Sequence, residues 1–229
     1  MPALEMHNVD KVFGSGRTVV EALKQIDFTA ESGELIVVIG PSGSGKSTFL
    51  TIAGGLQSPS HGEVTINGRN VTQLTEKKRS QIRLQEIGFI LQASNLVPFL
   101  TVDEQMELLD KVKSHNLSKE ALLDVYQSLG IESLRTKYPS ELSGGEQQRV
   151  AIAKALYGDP SILLADEPTA SLDSERAFDV MKMLQDLSQK RNKTTLVVTH
   201  DTRLLEYCDK VYAITDGDMH LQQQRAEES

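Results

Sequence analysis

From Leu4 to Glu31 apolar and polar residues alternate in two runs, broken at Phe13-Gly14-Ser15-Gly16. A period of two turns one face of each run toward a core, which predicts antiparallel strands. The alternation then stops. Leu35-Ile36-Val37-Val38-Ile39 is apolar throughout, as suits a strand buried on both faces. A helix-compatible stretch, Ser47 to Leu56, comes after it. His61 to Gly68 predicts a short strand closed by an Asn67-Gly68 turn. Thr75 to Gln85 reads as a charged helix leading into a second buried strand, Ile87 to Leu91.

Strand signals vanish between Gln92 and Gly158. Thr101 to Ser114 and Ser118 to Leu129 have helical spacing, the second opened by Ser118 as N-cap. A third helix is expected after Ser143-Gly144-Gly145, running to about Tyr157. Strands return at Ile162 to Ala165, Thr195 to Thr199 and Val211 to Ile214, with a helix from Ser174 to Lys190 between the first two. Strands alternating with helices predict an α/β fold with a mostly parallel core sheet, an N-terminal antiparallel β subdomain and an inserted helical subdomain. On this reading residues 1–229 form one domain. Its sheets occupy 1–92 and 159–220, its helical part 93–158, and 221–229 is a loose polar tail.

Composition acts mainly by exclusion. A formal net charge of −8 argues against a protein whose main work is gripping nucleic acid, so no nucleic-acid partner is expected. Lys77-Lys78-Arg79 is read as a solvated helix face. No apolar stretch approaches the roughly 20 residues that span a bilayer. Trp is absent, so anchoring at a membrane interface by this chain alone is not expected. The single cysteine, Cys208, has no internal disulfide partner, which suits a reducing cytosol. It is read as a small, partly buried side chain near a strand.

Gly40-Pro41-Ser42-Gly43-Ser44-Gly45-Lys46-Ser47-Thr48 matches G-x-x-x-x-G-K-[ST] in full, between a buried strand and a helix. Its glycines let backbone N–H groups turn inward around phosphates, and the helix N-terminus adds positive potential. Lys46 is placed to reach the β- and γ-phosphates and Ser47 to ligate Mg²⁺. The loop names a nucleoside triphosphate as ligand. The apolar strand Ile162 to Ala165 ends abruptly in Asp166-Glu167. Asp166 is read as a Mg²⁺ group acting mostly through water, and Glu167 as the base that polarises the attacking water. Ser143-Gly144-Gly145, ahead of a helix, forms a second anion-binding N-terminus.

With Leu142-Ser143-Gly144-Gly145-Glu146-Gln147-Gln148-Arg149 standing about twenty residues before the acidic strand, the chain resembles the ATP-binding cassette family from about Leu4 to Met219. The resemblance implies ATP and Mg²⁺ as cofactors. It implies that Gln92 contacts Mg²⁺ and water and senses a transmembrane partner, and that His200 contacts the γ-phosphate. Asp173, in Ser171-Leu172-Asp173, falls in the loop by which one subunit touches its twin. Phe13 lies where the family often stacks a tyrosine on adenine, and Val20 or Ala22 could supply an aliphatic contact instead. The resemblance further implies a head-to-tail homodimer in which Ser143, Gly144 and Gly145 of one chain cap ATP held by Lys46 of the other. A separate permease is expected to dock near Gln92 to Val102, whose apolar groups around Pro98 are expected to be exposed. The cassette would then sit at the cytoplasmic face of the membrane, held there by its partner.

Within the family, Glu146 and Ala165 to Asp173 look like the macrolide-exporter and lipoprotein-release group. Ile87 to Leu100 and Thr199 to Tyr207 are similar to the ATPases of bacterial haem-efflux pumps. The function expected is the motor of an exporter. The alternative is a regulatory ATPase that relays signals through a membrane partner without moving cargo.

Overall fold

The alternating runs at the start pair with each other. In the computed structural model, which describes residues 1–224, strand β1 (Pro2–Phe13) runs antiparallel to β2 (Val20–Glu31). The apolar run is β3 (Leu35–Ile39), followed by α1 (Lys46–Ala53). Then β4 (His61–Ile66) turns through Asn67-Gly68 into β5 (Arg69–Asn70). Asn67 and Gly68 take φ of 46° and 72°, the left-handed pair that a two-residue hairpin turn requires. These strands form a four-stranded sheet in the order β2-β1-β4-β5.

Helix α2 (Glu76–Glu86) leads into β6 (Ile87–Ile90), and no strand follows until β7. Between them lie α3 (Val102–Asp110), α4 (Lys119–Ser128) and α5 (Gly144–Tyr157). After β7 (Ile162–Asp166) come α6 (Ser174–Arg191), β8 (Thr194–Val198), β9 (Lys210–Thr215) and β10 (Asp218–Gln224). The second sheet runs β10-β9-β3-β8-β7-β6, parallel throughout except for the β9–β10 pair. The fold is the α/β P-loop cassette expected, with an antiparallel β subdomain and a helical insertion.

Alternate residues of the central strands face opposite layers. Ile36, Val38, Ile162, Leu164, Leu196 and Val198 pack with α1 and the antiparallel sheet. Leu35, Val37, Leu163, Ala165 and Val197 pack with α5, α6 and the helical insertion. Phe28 makes edge-to-face pairs with Phe49 and Tyr212, with ring centroids 5.1 and 5.2 Å away, and ties β2 to α1 and β9. The fully buried Tyr126 anchors the helical insertion. Its hydroxyl donates to Asp103 Oδ1 at 3.1 Å, and the same carboxylate accepts from Arg135 Nε.

Three expectations change. The loose tail does not begin at 221: residues 221–224 continue β10, and 225–229 lie outside the described residues. Asp216 and Gly217 carry φ of 49° and 85° and turn the chain back so that Asp218 pairs with Thr215. The strand is polar because it is an exposed edge, so hydropathy alone hides it. Helix α3 stops at Asp110 rather than Ser114, where Asn116 Nδ2 donates to Asp110 Oδ1 and to the Lys113 carbonyl. Helix α5 begins at Gly144, so both signature glycines lie inside its first turn, with Ser143 as N-cap.

Replacing Tyr126 by Ala empties the centre of the helical insertion, and a loss of about 3–5 kcal/mol in urea denaturation is expected. A loss below about 1 kcal/mol would show that the insertion does not depend on this side chain.

Candidate nucleotide site

Strand register brings the chemistry together. Val38 pairs with Val198, and Val198 pairs with Asp166. The segments leaving these strands therefore emerge side by side at the carboxyl edge of the sheet, where ligands bind in open α/β folds. They are the loop Gly40–Thr48, the pair Thr199-His200 and the pair Asp166-Glu167. A cavity of about 640 Å³ opens there. Ser42, Gly43, Gly45, Lys46, Ser47, Thr48, Gln92, Asp166, Glu167 and His200 line it, together with Ala22.

Gly45, the N-cap of α1, has φ of 108°, and a Cβ placed on it would stand 2.3 Å from the Ala22 carbonyl oxygen. Only glycine fits both the dihedral and the space. Ser44 is buried, and its hydroxyl has no hydrogen-bond partner among the described residues. Gly40 packs so closely that a Cβ would meet the Ile214 carbonyl oxygen at 2.1 Å. Lys46 Nζ donates to the carbonyls of Gly40 and Pro41 at 2.7 and 2.9 Å, folding the ammonium back across its own loop.

Ser47 Oγ donates to Asp166 Oδ1 at 3.4 Å. Burial raises the Asp166 pKa above the usual carboxylate value, and the Ser47 hydrogen bond opposes it. Ser47, Asp166 and Gln92 present only oxygen and amide groups to one cavity, a donor set that suits Mg²⁺ completed by water and phosphate oxygens.

Glu167 is held at every polar atom. Its backbone sits in the left-handed region at φ 49°, and its N–H donates to the Val198 carbonyl at 2.9 Å. Thr199 Oγ1 donates to Oε2 at 2.9 Å, and His200 Nδ1 lies 2.7 Å from Oε1. A carboxylate only accepts, so His200 carries its proton on Nδ1 in this arrangement. The Glu167 side chain is 14% exposed and that of His200 74%. Thr199 is absent from the residues singled out in the sequence. A hydroxyl residue closing the apolar run ahead of His200 was the signal available.

Other expected site residues lie elsewhere. Phe13 does not line the cavity. It is 39% exposed, with Lys11 Nζ 5.1 Å from its ring centroid. Of its two proposed substitutes, Ala22 lines the cavity and Val20 does not. Ser143, Gly144 and Gly145 also stand outside it, at the start of α5. Gly145 abuts Leu172, and Asp173 caps α6 by accepting from the Arg176 N–H at 3.0 Å. Arg149, buried on α5, leaves Nε and Nη1 without a hydrogen-bond partner among the described residues.

The segment after Gln92 is less exposed than expected. Leu96 packs on the core and Val102 is buried, because both close the helical insertion. Pro98 and Phe99 do face solvent. The larger apolar surface is a cleft of about 450 Å³ between the sheet and the insertion, walled by Leu84, Phe89, Val97, Leu108 and Val112.

Residues 23–170 match the family described as ABC transporter. The chain belongs to that family. It is 44% identical to a protein of Staphylococcus haemolyticus named putative hemin import ATP-binding protein HrtA, over 96% of this chain and 100% of that one. The Staphylococcus saprophyticus protein of the same name is 43% identical over 94% of this chain and 97% of its own length. Among solved structures, it is similar to the dimeric post-hydrolysis state of the cassette MJ0796 bound to ADP and Pi. That likeness has a TM-score of 0.90 and 36% identity, over 97% of this chain and 99% of that one. Another is cbiO1 from Clostridium perfringens, part of a complex named cbiONQ. Here the TM-score is 0.83 and the identity 27%, over 97% of this chain and 88% of that one. The chain is an ABC ATPase. Among the described residues no helix is long and apolar enough to cross a membrane.

Gly45→Ala strains the loop and pushes it away from Ala22, so loss of nucleotide binding with unchanged far-ultraviolet circular dichroism is expected. Binding at the wild-type level would contradict the packing described. For Asp166→Asn the sign comes from linkage: a carboxyl whose folded pKa is raised destabilises the folded state once pH exceeds its unfolded value. The ligand-free variant is therefore expected to melt above wild type at pH 7 while losing hydrolysis. A lower melting temperature would contradict it.

Proposed function

We propose that this ATPase is the motor of a bacterial ABC exporter, that it closes as a head-to-tail homodimer on two Mg²⁺-ATP, and that haem is the cargo of its permease. One observation carries the dimer. The phosphate loop lines the nucleotide cavity and the second anion-binding turn, at Ser143, does not. A second copy related by a two-fold axis brings Ser143 over the first copy's phosphates and the reverse, giving an isologous interface. Nε and Nη1 of Arg149, without a partner among the described residues and close to Gly145, give that face a further reason to seek a partner. The related MJ0796 cassette is a dimer in its solved structures.

In this reading Lys46 leaves the Gly40 and Pro41 carbonyls for the β- and γ-phosphates. Ser47, Asp166 and Gln92 would hold Mg²⁺, whose charge would offset that of the phosphates. Glu167, oriented by Thr199 and His200, accepts a hydrogen bond from the attacking water, and His200, with a proton on each ring nitrogen in the loaded site, donates from Nε2 to the γ-phosphate. Phe13 or Ala22 contacts the adenine. ATP is thus the adhesive between subunits, and hydrolysis releases it.

The permease engages the apolar cleft between Phe89 and Leu108, to which the segment after Gln92 contributes Val97, by a cytoplasmic helix. The chain is then peripheral, at the inner face of the membrane. Haem is favoured by the staphylococcal relatives, whose name specifies hemin. Outward movement follows the likeness to haem-efflux ATPases, while that name specifies import. Everted vesicles carrying the permease decide the direction: uptake of haem on adding ATP means efflux in the cell.

Glu167→Gln is expected to lower kcat by at least about 10²-fold and to keep ATP binding. It should elute as a dimer in ATP and Mg²⁺. Normal turnover by a monomer would contradict both the base and the dimer. With the permease present, haem is expected to stimulate ATP hydrolysis and macrolides or peptides not to. Equal responses would remove the haem assignment.

A further inference from the structure

Ser143 is already engaged. Its hydroxyl donates to Glu146 Oε2 at 2.8 Å, its N–H donates to the same oxygen at 2.8 Å, and it accepts from the Glu146 N–H at 3.3 Å. A serine hydroxyl has one proton. A phosphate oxygen offers only acceptors, so Ser143 cannot donate to an incoming γ-phosphate while it donates to Glu146. The carboxylate also occupies the positive end of α5, where an anion is best placed. Ser143 is exposed and Glu146 half-buried, so the contact stands where the second nucleotide must land.

We propose that Glu146 is an internal mimic of the γ-phosphate: its carboxylate occupies the Ser143 donors in the free chain and must be displaced before the partner's ATP can close the dimer. This rests on the head-to-tail reading above. Glu146 is a positioning residue, with two effects of opposite sign. In the free chain the capping box holds Ser143 and the first turn of α5 in place. In the closing dimer the same carboxylate is a like charge beside the phosphates, and it raises the ATP concentration needed to close. Competing anions balance without a chemical step: the Ser143 proton passes from one hydrogen bond to another, and the carboxylate swings into solvent. The device sets a threshold, so that ATP below it leaves the signature face shut.

Glutamine tests this directly, because its side-chain carbonyl keeps an acceptor for the Ser143 N–H and loses the charge. ATP is titrated with Mg²⁺ against full-length Glu167→Gln and against Glu146→Gln/Glu167→Gln, with the dimer fraction read by sedimentation. The charge removed at each site is expected to raise the closing constant about threefold, about tenfold over the two sites of a symmetric dimer, and because two ATP are taken up the ATP midpoint falls about threefold. In the Glu167 background of the native chain, Glu146→Gln should lower KM for ATP with little change in kcat. Glu146→Ala should show the same fall in midpoint with a lower melting temperature. A cap with a structural role only would leave Gln neutral and make Ala worse. An unchanged or higher midpoint in Glu146→Gln, with Glu167→Gln still dimerising, overturns the mimic and leaves the dimer standing. Failure of Glu167→Gln to dimerise at any ATP concentration overturns both.

Discussion

The parallel pairing of β3, β8 and β7 holds the site together. Val38, Val198 and Asp166 form one row across three strands, so the phosphate loop, Thr199-His200 and Asp166-Glu167 leave the sheet abreast. A slip of one residue in β7 would turn the buried face of Leu163 and Ala165 toward the opposite core. Burial on both faces makes that slip costly. The same pressure that packs these strands therefore fixes the distance between a phosphate-binding loop and its carboxylates.

The edge of the sheet stores electrostatic conflict. Lys46 rests on two carbonyls and has no carboxylate partner among the described residues, while Asp166 is desolvated next to Glu167. Glu167 adopts a left-handed φ that costs a non-glycine residue about 1–2 kcal/mol, and hydrogen bonds from Thr199 and at His200 hold its side chain there. A polyphosphate with its metal relieves these tensions together. It gives Lys46 an anion and Asp166 a cation, and it brings Glu167 the water that its geometry is aimed at. The ligand-free fold gives up stability to keep this arrangement ready.

Much of this was legible because the signals are local. Gly40 to Thr48 is contiguous, Leu35 to Ile39 and Ile162 to Ala165 are apolar without interruption, and Asn67-Gly68 names its own turn. What stayed hidden depends on contacts distant in sequence or on polarity with a structural cause. β10 is polar because it is an edge strand, and its Asp216-Gly217 turn was the only local cue. Thr199 matters through a hydrogen bond to a residue thirty-two positions away. The apolar cleft draws Leu84, Phe89 and Leu108 from three elements and Val112 from the turn after α3, whereas around Pro98 only Leu96 and Val102 turn inward, and Pro98 and Phe99 face solvent as the sequence suggests. The placement of Ser143 away from the cavity needed the fold.

The central claim is that each nucleotide site takes one half from each of two chains. Mixing two disabled variants addresses it most directly. Lys46→Ala removes the phosphate-loop cation but keeps Ser143, and Ser143→Arg blocks the signature but keeps Lys46. If the site is shared, each variant alone is inactive, and the mixture regains ATP hydrolysis through heterodimers with one intact composite site. If the mixture stays inactive at every ratio while wild type is active, or if Ser143→Arg hydrolyses ATP alone, the site is not built from two chains.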